Sequence, residues 1–148
     1  DLVNEVCENL KEELSRFSVK VTIPEDMPPV KIDFGLMEQV VYNLVHNASQ
    51  YAPSSTEIGI SAFYADGFLN LQIMDRGPGF PENEISLIFN KFYRVGGSKP
   101  GGTGLGLSIA KGFVEAHKGM ITVENRSDGG AMFRISIPAE TFREEINQ

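Results

Sequence analysis

The chain has 148 residues, is 41% hydrophobic and carries a formal net charge of −7. That length and apolar content suit one globular domain, and no run approaches the roughly 20 apolar residues of a membrane span. An acidic chain disfavours a duplex-binding surface, which needs clustered Lys and Arg, so no nucleic-acid partner is expected; the single cysteine, Cys7, excludes an internal disulfide and a cysteine-based metal site.

Asp1 begins the chain without an initiator methionine, a basic n-region or an apolar h-region, as expected of a piece of a longer protein. Leu2, Val6, Leu10 and Leu14 recur at steps of four and predict one amphipathic helix ending near Ser18. Alternation of Val19, Val21 and Ile23 predicts a strand from Ser18 to Pro24, and a Pro-punctuated turn leads to a short strand, Val30 to Ile32. Asp33 is placed to cap a helix from Phe34 to about Tyr51, which Pro53 ends. Thr56 to Tyr64 and Phe68 to Met74 alternate as a hairpin joined by Ala65, Asp66 and Gly67. A short helix is expected from Glu84 to Phe92, a loop from Val95 to Thr103 and a helix from Leu105 to His117, with Gly119 as its C-cap. Met120 to Asn125 and Ala131 to Ile137 form a last hairpin across Asp128, Gly129 and Gly130, and Ala139 to Gln148 is a polar tail. The expected class is α+β, a two-layer sandwich whose mixed, mostly antiparallel sheet is covered on one face by about three helices.

PGGTGLGLSIAKG, Pro100 to Gly112, is a glycine-rich loop feeding a helix start, where exposed N–H groups and the positive dipole end suit a phosphate. A mobile surface loop before a core helix is the plain alternative. Lys91, Arg94, Lys99 and Lys111 make Phe89 to Gly112 a positive island without an acidic residue, which fits a small anionic ligand. No P-loop string GxxxxGK exists, and Gly102, Gly104 and Gly106 give GxGxG after a loop in a chain that does not read as β-α-β, so a dinucleotide fold is not expected.

Asn43 and Asn47 stand four apart on the second helix, with Gln50 and Tyr51 at the next turn. These amides either satisfy backbone groups or offer neutral oxygens to Mg²⁺. Asp75, at a strand end before GPG, is either a turn residue or the acceptor for an exocyclic amine, which would select adenine. Arg94 is either a surface arginine or a bidentate phosphate ligand. His46 and His117 lack a nucleophile or carboxylate at a suggestive spacing and read as structural.

NLVHNASQY, DRGPGF, FNKFYR and GTGLGLSIAKG, in this order, resemble the N, G1, F and G2 boxes of the ATP-binding catalytic domain of bacterial sensor histidine kinases. AHKGMITVEN and GGAMFRISIP extend the resemblance to nearly the whole chain. NRSDGGAMFRISIP, and Lys91 where most members carry proline, look closest to the potassium-responsive Kdp-type sensors.

The resemblance implies the Bergerat fold with ATP and Mg²⁺ as cofactors. By position, Asn47 would ligate Mg²⁺, Asn43 would line the phosphate site, and Gln50 and Tyr51 would sit by the nucleotide. Asp75 would bind the adenine amine, with Gly77 and Gly79 making room. Arg94 would reach the γ-phosphate and share the catalytic role with Asn43. Val95 to Thr103 would be a lid with Lys99 on it; Gly102, Thr103, Gly104, Leu105 and Gly106 would cradle the phosphates.

Gln50 departs from the family's phosphate-binding lysine, a contact that Lys99 would replace. Asn43 stands where ATP-hydrolysing relatives carry a glutamate, consistent with transfer to a protein. The implied acceptor is a histidine in a separate dimerisation domain, since His46 and His117 lack the acceptor context. The implied wider setting is a cytoplasmic domain without direct membrane contact, monomeric when isolated. Its homodimeric parent would sit in the bacterial inner membrane and serve a response regulator. A silent nucleotide-binding module and an anti-sigma-type serine kinase remain open alternatives on the same fold.

Overall fold

The computed structural model of the chain describes residues 1–93 and 105–142. Five strands, β1 (Ser18–Thr22), β2 (Glu57–Ala65), β3 (Phe68–Met74), β4 (Met120–Asn125) and β5 (Ala131–Pro138), form one sheet in the order β1-β2-β3-β5-β4. Helices α1 (Leu2–Asn9), α2 (Lys11–Leu14), α3 (Phe34–Tyr51) and α4 (Gly106–Ala116) accompany it. The expected two-layer α+β sandwich is therefore the architecture found.

Period-two alternation decides which face is covered. Ile58, Ile60, Leu69, Leu71, Ile73, Phe133, Ile135 and Ile137 are buried, together with Val40, Val41, Leu44 and Val45 of α3 and Ala110 and Val114 of α4. The opposite face carries Asn70, Gln72, Thr122, Arg134 and Ser136 beside the exposed Phe63 and Met120. Apolar residues alternate inward on β3 and β5 because each strand has one wet face.

Pairing is antiparallel except between β1 and β2, which run parallel from Ser18↔Glu57 to Thr22↔Ser61. The chain does contain one β-α-β unit, contrary to expectation, because α3 intervenes between these strands and brings the chain back in the same direction. The glycine-rich stretch lies outside that unit, so the dinucleotide reading gains nothing from it.

The β2–β3 hairpin turns on two residues of positive φ, Asp66 (56°) and Gly67 (83°), closing the Ala65↔Phe68 pair. This is the geometry a two-residue primed turn requires. Asp33 caps α3 as expected, its side chain accepting from the Leu36 N–H.

Four local expectations need correction. The first helix is interrupted at Leu10, whose ψ of 22° departs from helical geometry, although Leu10 and Leu14 stay buried. Where Glu84 to Phe92 was expected to be helical, a 3₁₀ helix spans Glu82–Leu87 and turns follow. Val30 to Ile32 contributes only a bridge from Val30 to Thr141, with the Lys31 N–H donating to the Glu140 carbonyl at 2.7 Å, so the polar tail starts by doubling back along this segment.

The fourth correction concerns the end of α4. Lys118, with φ of 61°, takes the left-handed position, while Lys118 N–H donates to Glu115 and Gly119 N–H to Val114, a Schellman ending. Gly119 is needed for space: an added Cβ would lie 2.6 Å from the Ser136 carbonyl oxygen and 2.9 Å from Ile137. His117 fastens this end to the start of α3, with Nδ1 donating to the Phe113 carbonyl at 2.9 Å and Nε2 accepting from the Asp33 N–H at 3.4 Å.

Two glycine substitutions on this element should have opposite signs. Gly119→Ala forces β5 and the turn apart and should destabilise by about 1–3 kcal/mol, as overpacking does. Gly112→Ala lies within α4, where nothing falls within 4 Å of an added Cβ, and should stabilise by about 0.5–1 kcal/mol. Thermal or denaturant unfolding of both variants measures this, and equal effects would refute the assignment of Gly119 to packing.

Candidate nucleotide-binding site

The site is built around the end of β3. Asp75 follows the strand and is only 6% exposed, one of two buried polar residues among those described. Its Oδ1 accepts from the Gly77 N–H at 2.7 Å and from the Ala131 N–H at 3.3 Å, and Oδ2 has no partner among the described residues. Burial pushes this carboxyl above the ordinary aspartate range; the two N–H donors and the Arg126 charge pull it partway back. The result is a carboxylate with one oxygen fixed by the backbone and one available to a donor.

The β4–β5 turn makes that burial possible. Asp75 N–H donates to the Ala131 carbonyl at 3.0 Å, extending the β3–β5 ladder by one residue. Gly130 has φ of 100°, and a Cβ there would fall 1.9 Å from the Asp75 carbonyl oxygen, so only glycine fits. Arg126 Nη1 donates to that same carbonyl at 2.9 Å.

A second clamp holds DRGPGF. The Asn125 carboxamide accepts from the Phe80 N–H and donates to the Phe80 carbonyl, each at 2.8 Å, and also donates to Glu82 at 2.9 Å. Space beside Gly79 belongs to this clamp, since a Cβ there would lie 2.5 Å from Asn125 Oδ1. Space beside Gly77 is bordered by Asp75 Oδ1, the Tyr51 carbonyl and Ala52 Cα at 3.2–3.4 Å. Both glycines thus admit the protein's own turn contacts. Phe80 and Phe89 meet the Phe133 ring edge to face, each at 6.1 Å, anchoring both ends of the segment to the core.

The amide pair on α3 divides its work. Asn43 accepts from Gln39 Nε2 at 2.8 Å and donates to the Gly106 carbonyl at 3.0 Å, tying α3 to the first turn of α4. Asn47, one turn on and half-buried, makes no side-chain hydrogen bond among the described residues. No side chain caps α4, which starts after Leu105, and Ser108 Oγ turns back to donate to the Leu105 carbonyl at 2.9 Å. Tyr51 ends α3 against Gly77 and lies close enough to Tyr93 to act on it electrostatically; Gln50 precedes it, half-buried.

The structure therefore brings Asn43, Leu105 and Gly106 together on one side and Tyr51, Asp75 and Gly77 on the other, with α3 running between the groups. Arg94, Lys99, Gly102, Thr103, Gly104 and the expected loop Val95 to Thr103 lie outside the described residues. Lys91 is exposed, and Lys111 pairs with Glu115 at 3.2 Å on the helix surface. Among the described residues no group of three His, Cys, Asp or Glu converges as a metal site, and no helix is long and apolar enough to cross a membrane.

Sequence reasoning missed Asn125, Arg126 and the steric role of Gly130. The Gly129-Gly130 pair was the available signal, read only as a hairpin turn; nothing local marks Asn125 or Arg126, whose partners lie about 45 and 51 positions away.

A mixed five-stranded sheet packed against α3 and α4, with a buried carboxylate at the end of β3, has the sandwich architecture of the Bergerat class. Residues 32–141 match the family described as Histidine kinase-, DNA gyrase B-, and HSP90-like ATPase, and the chain belongs to it. Within that family it is of the histidine kinase catalytic type. The catalytic domain of histidine kinase ThkA is 30% identical, with TM-score 0.83 over 93% of this chain and 90% of that one. The mycobacterial sensor histidine kinase MprB superposes with TM-score 0.84 at 26% identity over 95% of both chains. Sensor protein KdpD of Escherichia coli (strain K12) is 40% identical over 129 residues, 85% of this chain and 14% of that protein. The chain thus spans about a seventh of the length of this relative.

Two measurements check the local assignments. Asn125→Asp keeps an acceptor for Phe80 N–H but loses the donor and faces Glu82, so it should destabilise by about 1–3 kcal/mol, readable by denaturant unfolding. Tyr93 donates its hydroxyl to Glu84, and burial together with that carboxylate pushes the phenol up to about 12. Ultraviolet titration should show one tyrosine ionising near that pH and moving to lower pH in Glu84→Gln, because the negative charge opposing phenolate is then gone while burial remains. An unmoved titration would show that Glu84 does not govern it.

Proposed function

We propose that the chain binds Mg·ATP and donates the γ-phosphate to a histidine supplied by a dimerisation domain of its parent, a Kdp-type sensor kinase of potassium signalling. Asp75 carries this reading. A half-satisfied buried carboxylate suits an exocyclic amine, and such a charged hydrogen bond contributes about 1.5–3 kcal/mol. Guanine presents a carbonyl at the same ring position and would face that oxygen with like polarity.

Asn43 and Asn47 support the phosphate half of the site. Asn43 holds Gly106, so the α4 N-terminus is fixed where a phosphate would meet its dipole. Asn47 retains a neutral oxygen for Mg²⁺, an ion that takes few protein ligands and keeps its waters and nucleotide phosphates. The bound ion would neutralise phosphate charge. Gln50 and Tyr51 flank the nucleotide; Arg94 and Lys99 contact its phosphates; and the segment Val95 to Thr103 covers it, with Gly102, Thr103, Gly104 and Leu105 completing the cradle. Positioning and charge neutralisation then carry the transfer, with Arg94 acting on the γ-phosphate. The parent would be a homodimer in the bacterial inner membrane passing the phosphoryl group to a response regulator, with this domain in the cytoplasm.

Incubating the chain with the parent's dimerisation domain and γ-labelled ATP should yield acid-labile, base-stable phosphate on that domain. ATP binding with no such phosphate would refute the kinase reading. Asp75→Asn should weaken ATP binding about tenfold to a hundredfold, at about 1.4 kcal/mol per decade, and Asn47→Ala should abolish the Mg²⁺-dependent part of affinity. Unchanged calorimetric titrations would reject the corresponding assignments.

A further inference from the structure

We propose that Arg126 is a positioning residue for recognition of the adenine amine, acting through the Asp75 backbone. The inference rests on the reading of Asp75 as the group that accepts this amine.

Arg126 leaves the end of β4 and crosses the turn to the end of β3. Its Nη1 donates to the Asp75 carbonyl at 2.9 Å. Its own N–H donates to the Gly130 carbonyl at 2.8 Å, so both the backbone and the tip of the residue are fixed. The side chain is 19% exposed, whereas Asp128, 3.8 Å from Arg126 Nε, is 63% exposed. Asp128 also pairs with Arg76 Nη1 at 2.8 Å, so a carboxylate on the rim holds one guanidinium from the β4–β5 turn and one from the loop after β3.

The carbonyl that Arg126 grips is the one packed against Gly130, where no side chain fits. Gripping it orients the Asp75 peptide, and with it the ladder bond to Ala131 and the acceptance of both N–H donors by Oδ1. A forked, always-charged donor suits this place better than an ammonium, because one end takes the carbonyl and the other faces a carboxylate. The ionisable groups around Asp75 are Arg126 and Asp128 from the turn and Arg76 from its own loop, while α3 brings the Tyr51 backbone carbonyl against Gly77. Among them Arg126 acts on the Asp75 carboxyl and favours its charged form against burial.

The test measures the affinity of the chain for ATP and for inosine triphosphate, which lacks the 6-amino group, from mildly acidic to neutral pH in Arg126→Gln and Arg126→Lys. The intact chain should prefer ATP, and its ATP affinity should fall on acidification as Asp75 takes up a proton. In Arg126→Gln the preference for ATP should shrink about tenfold, equal to about 1.4 kcal/mol, with inosine triphosphate affinity nearly unchanged. The acid limb should move to higher pH, because a contribution that lowered the Asp75 pKa is lost. Arg126→Lys, which keeps the charge, should leave the acid limb in place while losing part of the preference, and it serves if Arg126→Gln does not fold. Equal weakening of both nucleotides with an unmoved acid limb would overturn the proposal and leave Asp75 as the amine acceptor. No preference in the intact chain would overturn it by removing the Asp75 reading itself.

Discussion

Holding one carboxylate inside the domain is the constraint on which the site depends. A buried charge without partners costs several kcal/mol, so Asp75 requires donors that cannot drift away. Backbone N–H groups of Gly77 and Ala131 supply them. One comes from its own turn and the other from a strand 56 positions later, which makes the β3–β5 register part of what holds the carboxylate. A slip of one residue in that pairing would reverse the faces of the strand and take the Ala131 donor with it.

Helix α3 links this carboxylate corner to the start of α4. Its apolar stripe, Val40, Val41, Leu44, Val45 and Ala48, seats it on the sheet and fixes its rotation. That rotation places Asn43 against Gly106 and brings Tyr51 and Ala52 against Gly77. Packing and ligand geometry are therefore coupled: changing how α3 lies on the sheet moves both ends of the site at once. Asn43 illustrates why a polar face was legible in the sequence but its division of labour was not. Two amides four residues apart look equivalent along the chain, and only the neighbouring helix distinguishes one held on both sides from one left available.

Elements with strong local signals were legible. The β3 span Phe68–Met74 and the β4 span Met120–Asn125 have the bounds their alternation implies, and Asp33 caps α3. Errors arose where the decisive contact was distant or steric. A mixed sheet was expected, but that β1 and β2 are its parallel pair depends on α3 intervening, and alternation within a strand cannot report its direction. Gly119 looked like a cap because glycine usually takes the left-handed position; Lys118 takes it instead, and residue 119 is glycine because the backbone of β5 leaves no room for a Cβ there. Asn125 and Gly130 act through backbone atoms of a loop far away in sequence, and such partners leave no periodicity to find.

Charge separates the two halves of the site further. Gln50 is neutral where related kinases place a lysine, and Lys111 is engaged with Glu115 on the surface of α4. In an acidic chain, the negative charge of a triphosphate then falls to the α4 N-terminus, to Mg²⁺ and, on the reading proposed above, to Arg94 and Lys99. The α4 dipole is equivalent to only about half a positive charge, too little for three phosphates by itself. On the proposed reading, adenine recognition would belong to the β3–β5 corner, whereas phosphate neutralisation would fall to Mg²⁺, Arg94 and Lys99. Such a division would let the base anchor the nucleotide at one end of α3 while separate groups hold the transferring phosphate at the other.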